Sequence, residues 1–142
     1  MNCDDQLIQG LARVYLHLQR RVNRELAQEG GSLARLKLLL FVQKREGAAR
    51  AADIADMFDL APRTVTEGLD ALERDGLIVR TADPDDRRVK RIAVTPAGEG
   101  VIAASQPLRA QLLAETFAVL TAEERAQLSA LLGKLAASLG EG

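Results

Sequence analysis

The chain reads as mainly α with a small β-hairpin wing, a winged helix-turn-helix lobe carried between N- and C-terminal helical arms. Three observations predict this. Apolar residues recur three and four apart along much of the 142 residues, which is the period of amphipathic helices. Two short helical segments meet at Asp59-Leu60-Ala61-Pro62, a turn tight enough for a helix-turn-helix. The stretch Leu77 to Thr95 then reads as two short strands around a charged, proline-containing tip with adjacent Arg87 and Arg88.

From Asp4 to Gln28, residues Leu7, Leu11, Val14, Leu18 and Val22 form one stripe of a long helix, which Gly30 and Gly31 stop. Ser32 suits an N-cap, because its hydroxyl accepts an orphan amide of the first turn. The helix it opens runs through Leu36, Leu39, Leu40 and Phe41 to about Glu46, before Gly47. A third, short helix covers Ala52 to Phe58. Pro62, with its fixed φ and missing amide, suits the first position of a fourth helix that runs to about Asp75, buries Val65, Leu69 and Leu72, and stops at Gly76. After the hairpin, Thr95 caps and Pro96 starts another helix. Pro107 is expected to kink or interrupt it, since proline lacks the amide donor and crowds the preceding turn. The last helix begins at Thr121, whose spacing to Glu124 is that of a capping box, and its stripe is Leu128, Leu131, Leu132, Leu135 and Leu139.

These elements divide the chain into an N-terminal dimerisation helix (1–31), a winged helix-turn-helix lobe (32–95) and C-terminal dimerisation helices (96–142). The arms carry apolar stripes with little of their own to pack on, a liability in a monomer. A homodimer in which the arms of two subunits bury each other is therefore expected. The alternative is that they fold back over their own lobe.

Composition excludes several function classes. No apolar run approaches the ~20 residues that span a bilayer. The start, with Asp4 and Asp5, lacks the basic, apolar and small-residue order of a secretory signal, so a cytoplasmic location and no membrane partner are expected. One cysteine, Cys3, allows no intrachain disulfide and has no second thiol to resolve an oxidised form; one histidine, His17, leaves no zinc cluster. No metal, cofactor or redox role is expected. Catalysis is not expected either, since no nucleophile with a base, carboxylate pair or phosphate loop is visible. The net charge of −1 is unlike that of many nucleic-acid binders, but its distribution is uneven. Between Arg80 and Arg91 five basic residues stand against three acidic ones, concentrated on a hairpin shaped to straddle a nucleic-acid backbone and enter a groove.

A second charged surface lies on the first helix. Arg13, His17, Arg20, Arg21 and Arg24 fall within an arc of about 100 degrees. One reading is a solvated face paired with the acidic C-terminal segment that holds Glu115, Glu123 and Glu124. The other is an anion site between arm and lobe, built on Arg13, His17 and Arg20 with Tyr15 at its edge, suited to a small carboxylate-bearing aromatic effector.

Between Asp53 and Gly98 the chain carries the run Val65-Thr66, Leu69, Leu72-Glu73, Gly76-Leu77-Ile78-Val79-Arg80, Asp83-Pro84-Asp85-Asp86-Arg87-Arg88 and Ile92-Ala93-Val94-Thr95-Pro96-Ala97-Gly98. This order resembles the multiple-antibiotic-resistance regulator (MarR) family of bacterial repressors. The resemblance implies a homodimer of triangular outline whose two lobes meet successive major grooves of a palindromic operator in double-stranded DNA. It also implies a signal, a small molecule or a redox change, that alters the distance between lobes.

Under that resemblance the N-terminal half of the fourth helix enters the major groove. Pro62 fixes its entry, and Arg63, Thr64 and Thr66 are candidates to reach bases or phosphates. Where the family often carries arginine this chain has Glu67, which either accepts from a cytosine amino group or pairs with Arg63 one turn back. On the wing, Asp85 and Arg87 match a pair in which the acid braces an arginine bound for the minor groove, while Arg88 and Lys90 meet phosphates. The rival reading is a winged helix that docks a protein partner and leaves these arginines solvated.

Overall fold

The computed structural model describes residues 2–140, which form six helices and one antiparallel hairpin. In chain order these are α1 (Cys3–Gln28), α2 (Leu33–Lys44), α3 (Ala51–Phe58), α4 (Pro62–Arg74), β1 (Ile78–Ala82), β2 (Lys90–Val94), α5 (Pro96–Phe117) and α6 (Ala122–Ser138).

Side-chain caps fix most helix starts. Asn2, Ser32, Thr95 and Thr121 each accept an amide of the first turn, and Thr121 with Glu124 forms the reciprocal box its spacing predicts. Between α2 and α3 the chain turns through Glu46 at φ 49° and Gly47 at φ 86°, left-handed values that glycine adopts without penalty. Asp59 makes the same excursion at φ 51° and ends α3, and Pro62 then opens α4.

The hairpin pairs Ile78 with Val94 and Ala82 with Lys90 at its two ends. A third short segment joins it, because the Ile92 amide donates to the Ala49 carbonyl at 2.8 Å. Periodicity gave no sign of this edge, since one residue between two helices carries no pattern.

One core runs through the lobe and out of it. Leu39, Val42, Ile54, Val65, Leu69, Leu72, Ile78 and Ile92 are its fully enclosed centre, and Val22 and Leu26 of α1 and Ile102 and Leu112 of α5 belong to the same cluster. The core therefore crosses the boundaries drawn at 31/32 and 95/96. The parts of the arms beyond it differ. Leu7, Ile8, Leu11 and Val14 of α1 are exposed, and among the described residues of α6 none is buried.

Pro107, expected to kink or interrupt α5, leaves it uninterrupted. Its ring and the Ala103 carbonyl it leaves without a helical donor both belong to exposed residues, where water can serve the carbonyl.

The tightest approach is at Gly98 on α5. A Cβ there would sit 2.2 Å from the Leu77 carbonyl oxygen and 2.5 Å from the Val94 side chain. Thr95 secures the same corner, its hydroxyl donating to the Gly76 carbonyl while accepting the Gly98 amide. Gly98→Ala should therefore destabilise the protein by about 1–3 kcal/mol, the usual cost of overpacking, seen as a lower urea midpoint. A midpoint equal to wild type would show that the α5–β2 corner gives way freely.

Candidate nucleic-acid interface

Helix α4 is amphipathic in a way that sorts its candidate residues. Val65, Leu69 and Leu72 are buried, and Arg63, Thr66, Glu67 and Asp70, three and four apart, share the outer face. Pro62, also exposed, starts the helix and leaves first-turn amides free. Thr64 lies a quarter-turn away with Gly68 and lines a cleft instead of the outer face. The Thr66 hydroxyl donates to the Pro62 carbonyl at 3.0 Å, so it offers the outside an acceptor and no proton. Arg63 Nε donates to Glu67 Oε1 at 3.1 Å, the intrahelical pair that the spacing allows.

The wing is held by an acid that sequence reasoning passed over. Asp83 is 1% exposed, and its carboxylate accepts from Arg91 Nε at 2.9 Å, Arg50 Nη2 at 3.0 Å, and the amides of Asp85 at 2.8 Å and Asp86 at 3.3 Å. The Arg91 guanidinium first, then these amides, hold its pKa down to about 2. An available signal was the Asp-Pro dipeptide, because aspartate before a turn proline accepts the amides that follow it. Arg50 had none, lying in the α2–α3 link far from the hairpin in sequence.

The brace expected from Asp85 to Arg87 is instead made by Asp86 to Arg88. Arg88 donates to the Asp86 carboxylate from its backbone amide at 3.1 Å, from Nε at 3.1 Å and from Nη2 at 3.2 Å. The amide contact is local and aims the Asp86 carboxylate at the guanidinium, whereas the Asp85 side chain is exposed and its carboxylate takes part in no ion pair among the described residues. Arg87 and Lys90 are exposed and, among the described residues, have no ion-pair partner.

Wing and α4 are joined by Arg80, which donates to Glu73 at 2.9 and 3.2 Å and to Asp70 at 2.7 Å. The Glu73 contact, with that of Asp70, raises the guanidinium's already high pKa, and Glu73 is itself lowered by Arg80. This fork turns the acidic C-terminal half of α4 into a mount for β1.

The four residues grouped on α1 do not converge. Arg13, His17 and Arg20 line a shallow groove of about 830 Å³ that also touches Thr116 of α5. Tyr15 stands elsewhere, its hydroxyl 3.4 Å from Lys37 Nζ of α2. Tyr15 stands two residues, about 200° around the helix, from both Arg13 and His17, so it turns away from the groove that those two share with Arg20. Arg20 alone of the four also lines a second cleft, of about 580 Å³, floored by Leu33, Leu38, Phe58 and Val65 with Lys37 at its side. Arg21 pairs with Glu115 at 3.1 Å, so part of the basic face is neutralised by the C-terminal segment. Glu124 is occupied in its own cap. Among the described residues no cluster could hold a metal ion, and no helix is long and apolar enough to cross a membrane.

A chain with this geometry has clear relatives. Residues 34–90 match the family model described as "MarR family". The chain is 34% identical over 98 residues to the uncharacterized HTH-type transcriptional regulator YwhA of Bacillus subtilis, covering 69% of this chain and 70% of that one. It is 29% identical over 140 residues to the HTH-type transcriptional repressor MdtR of the same organism, covering 96% and 90%. A crystal structure of MarR superposes with a TM-score of 0.84 at 25% identity, covering 98% of this chain and 94% of that chain.

The Asp83 cluster gives a stability signature in acid. A carboxyl whose folded pKa lies below its unfolded value stabilises the fold above about pH 4 and loses that contribution as pH falls toward 2. The urea midpoint of wild type should drop across that window. Asp83→Asn should start lower at pH 7 and fall less steeply, and parallel curves for the two proteins would show that Asp83 is not the group responsible.

Proposed function

The chain belongs to the MarR family of transcriptional regulators, and from that membership we propose a homodimeric, sequence-specific DNA-binding repressor, released by a small anionic aromatic effector. The observation that carries this reading is the exposed outer face of α4 set beside a wing whose cations Arg87, Arg88 and Lys90 all face solvent. Family members are regulators and not enzymes.

In this reading the N-terminal half of α4 lies in the major groove, with Arg63, Thr66 and Glu67 toward base edges and the first-turn amides after Pro62 near a phosphate. Thr64 lies at the flank of this surface. Arg87 enters the minor groove, where narrow A/T-rich sequence concentrates negative potential, with Asp85 beside it at the tip. Arg88 and Lys90 meet phosphates, although Arg88 must share its charge with Asp86.

Dimerisation is supported by the exposed Leu7, Ile8, Leu11 and Val14 of α1, Leu131, Leu132 and Leu135 of α6, and Leu139 at its C-cap. A two-fold dimer calls for a palindromic operator. Repression is the role of the similar protein MdtR, a transcriptional repressor. The cleft between α1, α2 and α4 has an apolar floor with Arg20 and Lys37 at its rim, complementary to an aromatic ring bearing a carboxylate.

The test is selection of duplexes from a random pool, followed by gel shifts and sedimentation. Wild type should enrich a palindrome, bind it at moderate salt and sediment at twice the mass of one chain. Arg87→Ala should bind about tenfold more weakly with its fold intact, and Lys90→Ala should lower the slope of log affinity against log salt by about one. Absence of any sequence-selective shift would favour a winged helix that docks protein. For the effector, benzoate-type acids should release operator from wild type at lower concentration than from Arg20→Ala. Equal release from both would move the site away from Arg20.

A further inference from the structure

The Arg63–Glu67 pair is unexplained by stability. Its side chains are 90% and 67% exposed, and an exposed pair one turn apart contributes little to a helix. Arginine in a first turn also faces the positive end of the helix dipole, the unfavourable sign. The same helix shows what a structural pair looks like: Arg80, at 23% exposure, is gripped by two carboxylates that fix the wing. Nothing is fixed by Arg63 and Glu67 except each other.

Their hydrogen bond sets out a specific row of groups. Arg63 Nε is engaged with Glu67 Oε1, and among the described residues the two Nη nitrogens and Glu67 Oε2 make no hydrogen bond. The pair thus presents two donors beside one acceptor, held in register. In the major groove a G·C pair presents guanine N7 and O6 as acceptors beside the cytosine N4 donor. Donor, donor, acceptor complements acceptor, acceptor, donor. A C·G pair reverses that order, and A·T and T·A offer no two adjacent acceptors.

We propose that Arg63 and Glu67 act as one unit that reads a single G·C base pair in each half-site, Arg63 Nη on guanine N7 and O6 and Glu67 Oε2 accepting from cytosine N4. This rests on the DNA-binding reading above and deepens it. Glu67 has a second effect. By holding the guanidinium and repelling phosphates, it keeps Arg63 from binding backbone anywhere along a duplex, so it lowers non-specific affinity while sharpening choice.

The experiment compares wild type, Arg63→Ala and Glu67→Ala in selection from duplexes with a randomised central segment, with circular dichroism to confirm unchanged helix content. Wild type should require G·C at one symmetric position, and replacing it by C·G or A·T should weaken binding about ten- to hundredfold. Glu67→Ala should lose the preference at that position alone and bind random duplex more tightly. Replacing that guanine with 7-deazaguanine should weaken wild type and leave Arg63→Ala unchanged. The proposal is overturned if Glu67→Ala keeps the wild-type preference at every position, or if 7-deazaguanine weakens wild type and Arg63→Ala equally. Enrichment of no sequence by wild type would overturn the DNA-binding reading and this proposal with it.

Discussion

The Asp83 carboxylate is the point from which the functional face of the molecule is set out. A buried carboxylate without partners would be costly, and here two guanidiniums and two amides offset its desolvation. Those donors come from the cap of α3, from the wing tip and from β2. One side chain therefore fixes three segments that sequence separates by as much as forty-one residues, Arg50 to Arg91. The Ile92–Ala49 hydrogen bond reinforces the same junction, and the left-handed turn at Glu46 and Gly47 leads the chain into it. Without this junction the hairpin would be a two-stranded ribbon with both edges open, a form that is marginal in water.

Around that junction the apolar core is continuous from the lobe into both arms. Val22 and Leu26 seal one side and Ile102 and Leu112 another, so α1 is anchored at the lobe and bare toward its N-terminus, while α5 feeds the core as far as Leu112 near its end. The lobe-proximal ends fold back on their own core, and the distal stripes remain uncovered within one chain.

Element boundaries were legible because the punctuation is strong: Ser32, Pro62, Thr95-Pro96 and Thr121 are starts with a mechanism, and Gly30, Gly47 and Gly76 are stops at positive φ. The outer face of α4 was legible from the burial period, with Thr64 the exception because it stands a quarter-turn from Arg63. What was hidden was every contact made across sequence. Arg50 to Asp83 and Arg80 to Asp70 join residues whose spacing follows no local rule. At the wing tip the two acids Asp85 and Asp86 precede the two arginines Arg87 and Arg88, and it is the backbone amide of Arg88, donating to Asp86, that goes with the pair observed. That α5 runs on through Pro107 was not legible, because the cost of proline depends on whether the abandoned carbonyl can reach water, which a one-dimensional pattern does not show.

The double tether of the hairpin, by Asp83 to the start of α3 and by Arg80 to α4, sets where the hairpin stands beside the outer face of α4. A hinged wing would adapt to whatever duplex lay against it. A tethered one acts as a gauge, so that a duplex spanning both must itself supply the right groove width at the right helical phase. If a duplex spans both, as proposed above, the elastic cost of any mismatch falls on the DNA, and base steps that no side chain touches enter the selection through their stiffness.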